Sequence, residues 1–156
     1  MRVRVTKVKP EQARKYVIDC SSKLLGRLGS KVAKLLLTGN TVTLVNAEKA
    51  AISGHGRDIV ASYKQKVEWV DKANPEHSPY WSRRPDFFVK RVIRGMLPYK
   101  QPRGKEAYKR LIVYVGVPAG ISNESFEKIE IKNMRETFEG AMTVKELSAS
   151  LGYRVK

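Results

Sequence analysis

Apolar residues in this chain fall into short runs and helical stripes. Residues 16–20 (YVIDC) and 41–46 (TVTLVN) read as short buried strands, and 111–115 (LIVYV) as another of the same type. Between the first two lies KLLGRLGSKVAKLLL, where Leu24, Leu28, Val32, Leu35 and Leu36 recur at helical spacing. Ser21 or Ser22 offers that helix an N-cap, and Gly39 a stop. At about 100° per residue, Lys23, Arg27, Lys31 and Lys34 line one flank of the leucine stripe. Gly26, Gly29 and Ala33 line the other, where close backbone packing offsets the low helix propensity of glycine. AISGHGRDIVASYKQ reads as a strand ending at Ser53, a glycine turn, and a helix from near Arg57.

From 65 to 85 the periodicity breaks among Pro75, Pro79, Pro85 and two tryptophans, as in a loop ordered by a partner. Asp86 is placed to cap the next helix. Val89, Val92, Ile93, Met96 and Leu97 form its apolar face, Lys90, Arg91 and Arg94 project oppositely, and Pro98 ends it. Residues 104–110 predict a further basic turn or helix, and 126–131 a short edge strand or an extended segment. Thr143 and Glu146 have capping-box spacing, with Val144, Leu147 and Leu151 at helical spacing before Gly152. Buried-type strands alternating with helices predict an α/β fold around a mainly parallel sheet covered on both faces. The length suits one domain.

Charge changes the picture. The 156 residues carry 31 Lys and Arg against 15 Asp and Glu, a net charge of +16. Half of that excess lies in residues 83–110, whereas 121–156 are neutral. Such clustering repels itself in a folded chain and points to a polyanion partner. Tyr80, Trp81, Phe87, Phe88, Tyr99 and Tyr108 are interleaved with the bases. Guanidinium planes and aromatic rings suit phosphates and unstacked bases.

Other chemistry is poorly supplied. Asp19, His55, Asp58 and His77 are the candidates for a general base, with no paired-carboxylate motif, Walker loop, GxSxG or HExxH around them. Gly54-His55-Gly56 at a helix N-terminus could hold a phosphate with backbone N–H groups, but it is too short for a dinucleotide fingerprint and reads first as a plain turn. Cys20, His55 and His77 are too few and too scattered for structural zinc. The lone cysteine agrees with a reducing cytoplasm. MRVRVTKVKP lacks the apolar core of an export signal, and no run of about 18 apolar residues predicts a membrane span. A membrane-surface role is disfavoured because the basic helix lacks a large exposed apolar face.

The blocks LGRL (25–28), VNAEKA (45–50) and RGMLPYK (94–100), in that order, identify a resemblance over about residues 16–118. The chain resembles the universal large-subunit ribosomal proteins of the L-thirteen family, most of all the archaeal branch. The resemblance implies a three-layer α/β/α sandwich with a four-stranded, mainly parallel sheet and basic extensions. It divides the chain into a basic N-terminal extension (1–15), a family core (16–118) and a C-terminal extension (119–156). It implies a non-catalytic, cytoplasmic constituent of the large ribosomal subunit. The partners would be large-subunit rRNA and neighbouring ribosomal proteins, with no cofactor, small-molecule substrate or membrane. Cys20 and Gly29 stand where the family commonly has alanine, both small-for-small changes. The expected RNA-binding residues are Arg27, Lys31, Arg83, Arg84, Lys90, Arg91, Arg94, Tyr99, Lys100, Arg103, Lys105, Lys109 and Arg110. An off-ribosome regulatory RNA-binding role would use the same surface.

Overall fold

Tyr16, Val42 and Leu111 lie side by side across three parallel strands. The computed structural model describes residues 14–121 and 141–154. Strand β1 (Lys15–Asp19) pairs with β2 (Thr41–Val45), and β2 with β4 (Leu111–Val113), giving the order β1-β2-β4. Side chains alternate across a strand, so Ile18, Val42, Leu44 and Leu111 share the packed face and are buried. Val17, Thr43 and Ile112 stand in register on the opposite face, where Ile112 is 41% exposed.

Helix α1 (Leu25–Leu37) crosses from β1 to β2 and inserts Leu28, Val32 and Leu36, all fully buried, against the sheet. Burying each such side chain contributes about 1.5–3 kcal/mol. Gly39, at φ 100°, ends the turn after α1, as its position predicts. The return to β4 runs through α2 (Gly56–Glu68), α3 (Pro85–Met96) and α4 (Pro102–Lys109). Helix α3 packs on α1 and β4, and α4 packs on α1, so these three helices form one layer.

The class and the parallel sheet agree with the sequence, but the strand count differs. The segment expected to join the parallel sheet, β3 (Ala51–Ile52), instead pairs antiparallel with β5 (Met142–Thr143). Asn46, at φ 53°, and the 3-10 turn Ala47–Lys49 carry the chain away from the sheet before β3 begins. The ladder leads into α5 (Val144–Ser150), where Thr143 and Glu146 form the expected capping box. Val144 and Leu147 are fully buried, and Gly152, at φ 89°, follows the helix.

Three local expectations are corrected. Neither Ser21 nor Ser22 caps α1; Leu24 holds that position without a side-chain bond. The Ser21 hydroxyl donates instead to Asp19 Oδ1 at 2.8 Å, and Ser22 adopts φ 59°. Asp86 does not cap α3, because Pro85 starts the helix one residue earlier. The run 111–115 is not wholly buried: Ile112, Tyr114 and Val115 are 38–41% exposed. The edge strand or extended segment expected at 126–131 lies outside the described residues, as do residues 1–13.

Gly29 accounts for the close seating of α3 on α1. A Cβ there would meet the Met96 sulfur at 2.8 Å and Ile93 at 3.6 Å. Met96 is flexible and 38% exposed, so alanine at this position is accommodated by a shift of the thioether. Gly26 does not share this packing: it is exposed, and a Cβ there would meet nothing within 4 Å.

Candidate nucleic-acid interface

Helix α3 is divided by its own periodicity. Phe88, Val89, Ile93 and the C-capping Leu97 are buried. Lys90, Arg91, Arg94 and Phe87 fall in the opposite arc, roughly 100° wide. At the N-terminus Arg84 and Asp86 make a bidentate pair, Nε to Oδ1 at 3.2 Å and Nη2 to Oδ2 at 2.8 Å. The Arg84 guanidinium also lies 4.9 Å from the Phe87 ring centre.

After Leu97 the chain bends sharply. Tyr99 N–H donates to the Leu97 carbonyl at 2.7 Å and Gln101 N–H to the Pro98 carbonyl at 2.9 Å. Pro102 then starts α4, and buried Gly104 lies against the Pro98 carbonyl. The bend brings Tyr99 beneath Arg94, with the guanidinium 4.9 Å from the ring centre. Tyr99 meets Tyr108 of α4 edge-on at 5.4 Å, and the Lys90 ammonium lies 5.2 Å over Tyr108. Lys90, Tyr108, Tyr99 and Arg94 thus form one chain of contacts joining α3, the bend and α4. Each exposed cation–ring contact contributes about 0.5–1 kcal/mol.

Among the described residues no carboxylate pairs with this group. The Arg84–Asp86 pair is the one ion pair among the described residues. Burial, then the neighbouring Arg94 charge, lowers the Arg91 pKa from its ordinary value, although the guanidinium remains cationic. Burial raises the Tyr108 pKa, so its hydroxyl remains protonated at neutral pH. The result is a fixed set of like charges on aromatic supports, suited to a polyanion and unfavourable without one.

The expected site residues do not all share this place. Lys100, Arg103, Lys105 and Lys109 are exposed around the bend and α4. Arg83 is exposed, and its Nη1 lies beside Gly152 after α5. Arg91 donates to the Tyr80 carbonyl at 2.8 Å and lies 3.8 Å over the Trp81 ring, so it holds the preceding loop. Arg110 turns inward and donates from Nη2 to the Leu36 carbonyl near the C-terminus of α1, at 2.8 Å. Arg27 and Lys31 are exposed, on the flank of α1 away from Gly29 and therefore away from α3. Lys31 borders an apolar cleft of about 240 Å³ with Tyr16, Lys34, Leu35 and Thr38.

Sequence reasoning missed Lys66, which lies 4.5 Å over Tyr63 and 5.5 Å over Trp81. The three-residue spacing of Tyr63 and Lys66 on a helix was the available signal. Phe88, counted among the interleaved aromatics, is 6% exposed and stacks edge-on with Tyr63 inside the fold.

Elsewhere the polar groups serve the fold. Asp19 accepts from Asn46 Nδ2 at 2.9 Å and from the Ser21 amide and hydroxyl. Glu48, 8% exposed, accepts from the Gly116 amide at 3.0 Å. Gly54, at φ 125°, makes the turn before α2, and His55 occupies its N-cap position without a side-chain bond. No cluster of three His, Cys, Asp or Glu residues occurs among the described residues. No helix among them is long and apolar enough to cross a membrane.

Comparison with known proteins places these features in one family. The sequence model of Ribosomal protein L13 matches residues 13–120. The large ribosomal subunit protein uL13 of Archaeoglobus fulgidus is 44% identical over 141 residues, covering 88% of each chain. That of Methanococcus maripaludis is 44% identical over 137 residues, 87% of this chain and 96% of its own. That of Methanosarcina barkeri is 46% identical over 120 residues, 76% and 84% respectively. A match across most of both chains, to proteins of one description, means that this chain belongs to the ribosomal protein L13 family.

Proposed function

We propose that the protein is a structural, non-catalytic constituent of the large ribosomal subunit, which binds and organises large-subunit rRNA. The observation that carries this reading is the contact chain Lys90–Tyr108–Tyr99–Arg94 within a segment of net charge +8. The α/β core fixes these cations relative to one another, so that several RNA segments meet one rigid surface. Arg83, Lys90, Arg94, Lys100, Arg103, Lys105 and Lys109 are the phosphate-facing groups. Arg27 and Lys31 belong to a second contact on the far flank of α1. Arg84, Arg91 and Arg110 act first through protein partners: Asp86, the Tyr80–Trp81 loop end and Leu36. The chain works as a single domain, with 16–118 as its RNA-organising core and neighbouring ribosomal proteins meeting the remaining surface.

Co-sedimentation tests this role. The protein is expected to travel with large subunits through a sucrose gradient and to remain there after a moderate-salt wash. Migration of the cellular pool as a free protein, with none on the large subunit, would contradict the assignment.

A further inference from the structure

The loop 69–84 between α2 and α3 is held at its end by one arginine. Arg91 donates to the Tyr80 carbonyl at 2.8 Å and lies 3.8 Å over the Trp81 ring. Lys66 lies over that ring too, and Tyr63 meets it edge-on at 6.4 Å. The Trp81 ring is therefore engaged within the fold. Tyr99 is engaged likewise, between Arg94 and Tyr108.

Tyr80 differs from both. Its side chain lies beside a clamped backbone and a wedged neighbour, yet the residue is 84% exposed. No ring or cation packs on it among the described residues. An aromatic on a fixed backbone has two torsions left to order when it binds. A loop free at that point would also lose backbone entropy. Tyr80 is therefore preorganised to cover a flat apolar partner, at the margin of a strongly cationic surface. Bases in a duplex are stacked inward, whereas unpaired bases in loops and bulges expose a face.

We infer that Tyr80 is a stacking platform for an unpaired base of the RNA, and that Arg91 is the positioning residue that holds the platform. The inference rests on the proposed RNA-binding role and names the RNA feature the loop end takes. Exposed Arg83, three residues on, supplies a cation for the flanking phosphate. Stacking and phosphate contacts differ in salt dependence: phosphate contacts release counterions, and a stacked ring does not.

The test uses the full-length protein and a transcript of the large-subunit rRNA, titrated at several salt concentrations. Tyr80→Ala is expected to weaken binding roughly five- to a hundredfold, with an unchanged log–log salt slope. Tyr80→Phe is expected to bind like the parent. Arg91→Lys keeps the charge but gives up the guanidinium clamp. It is expected to weaken binding without changing the slope, and to add little to Tyr80→Ala. Thermal unfolding of Tyr80→Ala should match the parent, since the ring has no packing to lose. If Tyr80→Ala binds like the parent while Arg94→Glu with Arg103→Glu weakens binding, the stacking inference is overturned and the RNA role stands. If none of these variants alters binding, the RNA lies against some other face, and both the 83–110 surface and the stacking inference fail. A neighbouring protein seated on Tyr80 in the native large subunit would also overturn the inference.

Discussion

Gly104 packs its bare Cα against the backbone carbonyl of Pro98, so that a Cβ at this position would run into the bend. The obstacle is backbone and cannot swing aside. Glycine inside a helix ordinarily costs about 1 kcal/mol relative to alanine. Gly104→Ala should reverse that sign and destabilise the protein by roughly 1–3 kcal/mol, read by denaturant unfolding. Gly95→Ala on α3 is the matched control, since nothing lies within 4 Å of its Cβ position. It should stabilise by about 0.5–1 kcal/mol. Equal effects from the two substitutions would remove the bend from the explanation.

Arg110 lies in the basic segment, but its guanidinium reaches back 74 residues to the Leu36 carbonyl. Arg110→Ala should therefore lower folding stability by about 1–3 kcal/mol, because a part-buried, charge-assisted hydrogen bond is lost, although the Leu36 carbonyl keeps the Gly39 N–H at 3.2 Å. The slope of RNA affinity against salt should stay at the parental value. A flatter slope with unchanged stability would make Arg110 a phosphate-binding residue instead.

Local signals in the sequence were sufficient where the partners fall within one helical turn or follow a fixed period and no neighbour competes for them. The capping box at Thr143 and Glu146 was legible because both residues fall within one helical turn. The leucine stripe of α1 was legible because burial follows a fixed period. Ser21 defeated the local rule because Asp19 takes its hydroxyl. Pro85 set the start of α3 by its own fixed φ, whatever Asp86 offered. At the interface, charge density marked the segment, but not which cations were already engaged. Arg91 and Arg110 are held by partners 11 and 74 residues away, and no local pattern encodes such distances. The antiparallel pairing of Ala51 with Thr143 was hidden for the same reason.

Asp19 carries a pH dependence. Burial raises its pKa, but hydrogen bonds from Asn46 and Ser21, with the Lys23 charge, outweigh burial and hold it below the ordinary value of 3.8. A carboxyl depressed in the folded state stabilises it above the unfolded pKa and loses that contribution as pH falls through the folded value. Asp19 should thus contribute a constant stability from neutral pH down to about pH 5, declining below about pH 4. Asp19→Asn should be less stable than the parent at pH 7, with the difference shrinking at pH 3. Unfolding midpoints at the two pH values decide this, and a difference that grows on acidification would refute it.

Cys20 is fully buried, and burial, assisted by the Asp19 charge, pushes its thiol up to about 12. The thiolate is the reactive form, so the folded protein should resist alkylation at pH 8. Labelling should become fast in denaturant and follow the unfolding curve. Rapid labelling of the folded protein would place Cys20 outside the core.

Salt-dependent RNA affinity is the measurement on which the role of residues 83–110 stands or falls. Titrating the large-subunit rRNA with the parent and with the double variant Arg94→Glu, Arg103→Glu should give weaker binding by the variant. Its log–log salt slope should be flatter by roughly 0.7–0.9 for each phosphate that the variant no longer neutralises. A variant that binds with the parental affinity and slope would mean that the RNA lies against some other face.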